Sequence, residues 1–172
     1  MIIAETERLI LRHFTIVDGD AMDRVFGDAE VMFYGRGVQT PQWVREWLQG
    51  RLDDYQKLGY GLWAVVKKND RDVIGYCGLS YFPDIGGIPE IEIGYRLARA
   101  HWGWGVATEA ARAVRDYVFG TLKMRRLIAL IDPANVASIR VAEKIGMQYE
   151  KDVMLAGYSH SDRVYAITRS AG

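Results

Sequence analysis

Between Glu90 and Phe119 the chain changes its hydrophobic period within a few residues, and this change constrains the fold more than any other feature. Glu90-Ile91-Glu92-Ile93-Gly94-Tyr95-Arg96-Leu97 alternates charged or small residues with apolar ones, the two-residue repeat of a strand. Glu90 and Glu92 therefore fall on one face of it. From Gly105 to Phe119 the repeat lengthens, with Val106, Ala107, Ala110, Ala111, Val114 and Val118 on one stripe and Glu109, Arg112, Arg115 and Asp116 elsewhere. This predicts an amphipathic helix, closed by Gly120. Two glycines, Gly103 and Gly105, separate strand from helix and permit close approach to the backbone.

The remaining chain supplies alternating strands and helices. Arg8-Leu9-Ile10-Leu11-Arg12 reads as a short strand, and Asp18 precedes Ala21, Met22, Val25 and Phe26 at helical spacing. Thr40-Pro41 sets an N-cap and a proline in the first turn of a second helix, predicted to run to about Lys57. Leu62 to Val66 and Val73 to Tyr81 form a predicted hairpin around the polar turn Asn69 to Asp72, and Pro83 to Pro89 is read as a loop. Arg126 to Ile131 is a strand, Asn135 caps a helix ending at Gly146, and strands near Met147 to Leu155 and Arg163 to Thr168 follow. No repeat or linker interrupts this order. One mixed α/β domain spanning 1–172 is expected.

Composition narrows the function. With 49% hydrophobic and 26% charged residues in 172, the chain can bury a core without disulfides or metals. Equal counts of 22 basic and 22 acidic side chains argue against a sequence-independent grip on nucleic acid. Cys77 is alone, in an apolar stretch, and is expected to be a buried thiol in a reducing, cytoplasmic setting. No apolar run approaches the roughly 18 residues of a membrane helix, and Glu5 and Glu7 replace a basic leader, so no membrane partner is expected. His13, His101 and His160 lack metal-ligand spacing, so no metal is assigned. Trp43, Trp47, Trp63 and Trp102 are read as mostly core, whereas Trp104, inside the glycine turn, can hardly be fully buried.

A helix start carries N–H groups without internal partners and the positive end of the peptide dipoles, so the turn before Val106 reads either as a phosphate or pyrophosphate site or as a tight strand-to-helix turn with no ligand. The turn lacks the Lys-Ser/Thr of a Walker loop and the G-x-G-x-x-G spacing of dinucleotide folds.

Trp102-Gly103-Trp104-Gly105-Val106-Ala107-Thr108-Glu109-Ala110, preceded by Glu92-Ile93-Gly94-Tyr95, resembles the GCN5-related N-acetyltransferase (GNAT) superfamily. Gly105 and Ala107 match the last positions of its Gln/Arg-x-x-Gly-x-Gly/Ala loop, and Trp102 departs from the first. Trp102 instead fits the branch that includes the ribosomal-protein alanine N-acetyltransferases. Glu7 to Arg12, Asn135-x-x-Ser138 with Glu143-Lys144-x-Gly146, and Asp162 to Tyr165 resemble other segments of that branch, so the likeness spans nearly the whole chain.

The resemblance implies a mixed, mostly antiparallel sheet splayed between its fourth and fifth strands and flanked by about four helices. It also implies acetyl-CoA as co-substrate. The pyrophosphate would sit on Trp102, Gly103, Trp104, Gly105, Val106, Ala107 and Thr108, and the pantetheine would pair with the backbone of Tyr95, Arg96 and Leu97. Asn135 is assigned to CoA, and Ser138 to the sulfur as a contact or proton donor. Tyr149 has unconvincing spacing for the thiolate-protonating tyrosine found elsewhere in the superfamily.

The acceptor is a primary amine, and only the neutral amine attacks a thioester. At pH 7 that form costs roughly 4.6 kcal/mol for a lysine side chain and 1.4 for an α-amine. Glu92 is the candidate base, with Glu90 beside it as alternative, each weighed against a merely exposed carboxylate. The acceptor is a protein N-terminus or a small-molecule amine, met by loops Phe33 to Thr40, Pro83 to Pro89 and Ala156 to Asp162, with His160 as a candidate lining residue. A CoA-binding sensor without turnover, or a plain interaction domain, are the alternatives. A C-terminal edge strand offers pairing into a homodimer.

Overall fold

The computed structural model describes residues 1–169, so the last three residues of the expected domain lie outside it. Eight strands form one sheet: β1 (Ile2–Glu5), β2 (Leu9–Arg12), β3 (Leu62–Lys67), β4 (Val73–Ile85), β5 (Ile88–Leu97), β6 (Arg126–Ile131), β7 (Gln148–Met154) and β8 (Ser161–Thr168). Their spatial order is β1-β2-β3-β4-β5-β6-β8-β7. All neighbours are antiparallel except β5 and β6, which run parallel.

Four helices cover the faces: α1 (Gly19–Phe26), α2 (Pro41–Lys57), α3 (Val106–Gly120) and α4 (Val136–Lys144). Strand alternation assigns them. Leu9, Leu11, Trp63, Val65, Cys77, Leu79, Ile93 and Leu97 face the core beneath α3 and α4. The intervening Ile10, Ala64 and Val66 face Met22, Val25, Val44 and Leu48 of α1 and α2. Thr40 caps α2 by accepting from Trp43 N (3.2 Å), and the Asn135 side chain caps α4 by accepting from Ser138 N (3.2 Å).

Two expectations need correction. The segment Pro83 to Pro89 is not an open loop: β4 continues to Ile85, β5 begins at Ile88, and Gly86 (φ 61°) and Gly87 (φ 98°) make the turn between them. Left-handed glycines at both central positions let the strands reverse in two residues. An additional strand, β1, precedes the first one expected and pairs with β2. The expected fourth and fifth strands are consequently β5 and β6.

Those two strands share one paired position, Glu92 with Ile128. Beyond it they diverge. β6 leaves toward β8, to which it pairs over its whole length, while β5 stays with β4 as far as Gly75–Leu97. The sheet therefore opens a wedge-shaped gap beside Gly94 to Leu97.

Candidate active site

The gap continues into one cavity that crosses the sheet. Glu92, Tyr95 and Arg96 of β5 line one side, Leu130 to Asp132 of β6 and Asn135 and Ser138 of α4 the other.

Hydrogen bonding along β5 decides which backbone groups face the gap. Ala98 N donates to Ile74 O of β4, and the two-residue alternation of an antiparallel ladder then turns the Arg96 amide and carbonyl toward β4 as well. Tyr95 and Leu97 turn theirs toward the gap. The Leu97 carbonyl accepts from Trp102 Nε1 (2.9 Å), which leaves the Tyr95 peptide groups and the Leu97 N–H facing the opening. Of the three backbones expected to meet a pantetheine, those of Tyr95 and, through its N–H, Leu97 face the gap, and that of Arg96 is turned to β4.

The glycine turn lies at the end of this gap. Gly103 (φ 79°) and Gly105 (φ 74°) both adopt left-handed conformations, and Gly105 immediately precedes α3. The first intrahelical bond from this end is Glu109 N to Gly105 O, so the amides of Val106, Ala107 and Thr108 have no helical acceptor. Trp104 is 72% exposed, and Trp102, expected in the core, is 46% exposed because it lies at the surface with its Nε1 bonded to the Leu97 carbonyl. Three orphan amides, a helix dipole and no side chain at the two glycines fit a pyrophosphate.

An unexpected latch fixes this turn. Glu109, in the first turn of α3, accepts from Thr6 Oγ1 (2.5 Å), Arg8 N (3.0 Å) and Arg8 Nε (2.6 Å), and Arg8 Nη1 donates to the Trp104 carbonyl (2.8 Å). Burial works to raise the Glu109 pKa, but the hydrogen bonds from Thr6 and Arg8 outweigh it and hold the carboxyl below its usual range.

Glu92 sits at the last paired position before the gap, with its carboxyl in the cavity. Burial pushes its pKa up to about 7, helped by the negative Asp162 and opposed by the Leu130 backbone and Arg96. A carboxylate with that pKa is half ionised at neutral pH, the condition under which a general base combines availability with basicity. Glu90, on the same strand face, has a different fate. It is 5% exposed and receives hydrogen bonds from Arg126 Nε (2.9 and 3.1 Å) and Nη2 (2.8 Å), and Arg126 also reaches Glu150 (2.8 and 2.9 Å). These bonds raise the Arg126 pKa, Glu150 contributing most. Glu90 is a structural anion outside the cavity.

Ser138 lies one turn into α4 beside the Tyr95 side chain, whose hydroxyl is buried without a hydrogen bond of good geometry. Burial raises the Tyr95 pKa to about 12 and Ser138 moderates it. The Asn135 side-chain oxygen is committed to the α4 cap. Tyr149 is exposed, bonds Asp152 (3.3 Å) and does not line the cavity.

On the face opposite α3 and α4 the cavity has two ends. At one, His160 lies between Asp132 (Nε2 to Oδ2, 3.3 Å) and Asp162 (Nδ1 to Oδ1, 3.5 Å), so the histidine does line the site. At the other, Trp43 and Trp47, read from sequence as core, are half-buried and line the cavity with Tyr76 and Arg96. Helical spacing of four placed both tryptophans on the inner face of α2, but nothing local distinguishes a core wall from a cavity wall. Over the opening, Tyr34 Oη donates to the Ala134 carbonyl (3.2 Å), tying the α1–α2 connection to the β6–α4 turn.

Cys77 is buried and desolvation raises its pKa, so it is a packing thiol. Among the described residues, no helix is long and apolar enough to cross a membrane and no group of three metal-ligating side chains occurs.

A family model described as an acetyltransferase (GNAT) domain matches residues 8–148. Protein YkkB of Bacillus subtilis is 43% identical over 129 residues, covering 75% of this chain and 74% of that protein. A GNAT-family acetyltransferase from Bacillus anthracis superposes with a TM-score of 0.82 at 29% identity, over 98% of both chains. The ribosomal L7/L12 alpha-N-protein acetyltransferase RimL, solved in complex with coenzyme A, has a TM-score of 0.79 at 19% identity, over 98% of both chains, and shares the fold.

Proposed function

The chain belongs to the GNAT family of N-acetyltransferases, and from that membership we propose that it moves an acetyl group from acetyl-CoA to a primary amine by direct attack in a ternary complex, with Glu92 as base. The observation that carries this reading is a carboxyl that lines the cavity at the point where β5 and β6 part, where burial pushes its pKa up. It faces the cavity on the side away from α3 and α4. An amine entering there meets the opening in the sheet at Glu92.

Acetyl-CoA, when bound, supplies the activated acetyl group. In this reading its pyrophosphate rests on the amides of Val106, Ala107 and Thr108 and the turn Trp102 to Gly105, and its pantetheine pairs with the Tyr95 carbonyl and the Leu97 N–H, adding a strand to the open edge. Glu92 takes a proton from the ammonium form of the acceptor, directly or through one water, which leaves the amine able to attack. The Tyr95 N–H is positioned to donate to a developing oxyanion, since preorganised donors in a water-poor site stabilise charge without reorganising. Ser138, next to the Tyr95 hydroxyl, offers a proton or a hydrogen bond to the departing thiolate.

The acceptor is a protein N-terminal α-amine or a small-molecule amine. Calorimetric titration with acetyl-CoA, followed by free-thiol release over N-terminal peptides and small amines, tests the reading. Binding with release on an amine supports it. Tight binding without release on any amine favours a CoA sensor, and absence of binding overturns the assignment of the glycine turn.

A further inference from the structure

The acceptor half of the cavity carries an unused cation. Arg96 is on the same face of β5 as Glu92, four residues further on, and its side chain turns away from α3 and α4 toward α1 and α2. Among the described residues, its one side-chain hydrogen bond goes to the Met32 thioether (Nη1 to Sδ, 2.8 Å), a weak acceptor, and it forms no ion pair. A guanidinium has five N–H donors in a planar fork suited to carboxylate or phosphate.

The position of that fork is built into the fold. A Cβ placed on Gly35 would lie 2.9 Å from both Arg96 terminal nitrogens, so the absence of a side chain at 35 makes room for the guanidinium. Beside it stands an aromatic wall. Trp43 and Trp47 stack at 6.4 Å, Trp47 meets Tyr76 at 5.5 Å, and all three line the same cavity as Arg96 and Glu92. The opposite end differs, because its basic side chain, His160, already lies between the carboxylates of Asp132 and Asp162. The unsatisfied charge is therefore positive and adjacent to aromatic rings.

We propose that the acceptor is a primary amine joined through a flat, apolar body to an anionic group, with the anion on Arg96, the body along Trp43, Trp47 and Tyr76, and the amine at Glu92. Four residues of strand separate the two anchor Cα atoms by about 13 Å. The anion and the amine are thus separate groups of the acceptor, held by separate side chains. This rests on the N-acetyltransferase reading of the same cavity and adds the class of acceptor to it.

The test titrates the full chain, in the presence of CoA, with 4-(aminomethyl)benzoate, 4-(aminomethyl)phenylphosphonate, 4-(aminomethyl)benzamide and benzylamine. The carboxylate or the phosphonate should bind about tenfold tighter than the amide, the worth of a charge-assisted hydrogen bond, and whichever binds better identifies the anion. Arg96→Gln should remove that preference and Arg96→Lys should keep part of it. Equal affinity of anionic and neutral members in wild-type protein that binds acetyl-CoA overturns this proposal alone. Failure to bind acetyl-CoA at all overturns the acetyltransferase reading of the site as well. Because the decisive comparison is made between ligands on the wild-type chain, it survives a variant that folds poorly.

Discussion

Arg8 and Glu109, 101 residues apart in the chain, form the bond that holds the glycine turn to the sheet: Arg8 Nε donates to Glu109 Oε2 at 2.6 Å while Arg8 Nη1 takes the Trp104 carbonyl. The same carboxylate accepts from Thr6, so the β1–β2 connection, the first turn of α3 and the turn before it form one unit. Its consequence is preorganisation. The amides of Val106 to Thr108 are held in place before any ligand arrives, and a ligand need not order them.

Glu109→Ala is accordingly expected to weaken acetyl-CoA binding about tenfold while costing about 1 kcal/mol of stability, since the pair is partly exposed. Calorimetry and thermal melting on the same variant separate the two effects. An unchanged acetyl-CoA affinity would show that the turn keeps its shape without the latch.

Glu92→Gln should lower kcat by a factor of about 100 to 10,000, the usual worth of a positioned base. In the wild type kcat/KM should rise with pH through about 7, because only the ionised carboxylate accepts a proton. The variant should keep only the rise set by the amine itself. Stability moves the other way. A carboxyl whose folded pKa is raised from 4.5 to about 7 binds its proton more tightly in the native state, so native stability falls between those pH values and the cost is complete above 7. Glu92→Gln should thus be more stable than wild type at pH 8, by up to about 3 kcal/mol, and nearly equal at pH 4.

Two glycines with nearly equal backbone angles separate strain from ligand contact. Gly59 (φ 76°) lies just beyond α2 and Gly105 (φ 74°) in the turn, and alanine at either costs about 1 to 2 kcal/mol for the left-handed conformation. Gly105→Ala alone should also reduce acetyl-CoA affinity. If Gly59→Ala reduced it equally, the effect would belong to global stability.

Arg126→Met tests the assignment of Glu90. Removing the guanidinium leaves a buried carboxylate without its partner and should cost about 3 kcal/mol. The pH midpoint of kcat/KM should stay near 7, because Glu90 lies outside the cavity. A shifted midpoint would bring Glu90 back as a base.

Much of the scaffold is readable locally. The alternation of β5, the glycines of the turn and the stripe of α3 are contiguous signals, and each reports a backbone preference that its own few residues set. The turn at Gly86-Gly87 was less legible, since two prolines and two glycines within Pro83 to Pro89 outweigh the strand pattern in any local reading. β1 was missed because four residues carry too short a repeat to register, and its pairing with β2 is a tertiary fact.

The site divides along the same line. The sequence by itself determined that a strand with Glu92 feeds a glycine turn and a helix N-terminus, because these depend on side-chain period and φ, which neighbours along the chain decide. Only the tertiary structure separated Glu92 from Glu90. Both occupy the same face of one strand, and what distinguishes them is Arg126 on β6, which neutralises Glu90, against the cavity and Asp162, which desolvate and repel charge on Glu92. Likewise the latch from Arg8 to Glu109, the aromatic wall of α2 and the unpaired Arg96 join residues distant in sequence. Charge, burial and hydrogen-bond partners are properties of the space around a group, and that space exists only once the sheet has been assembled.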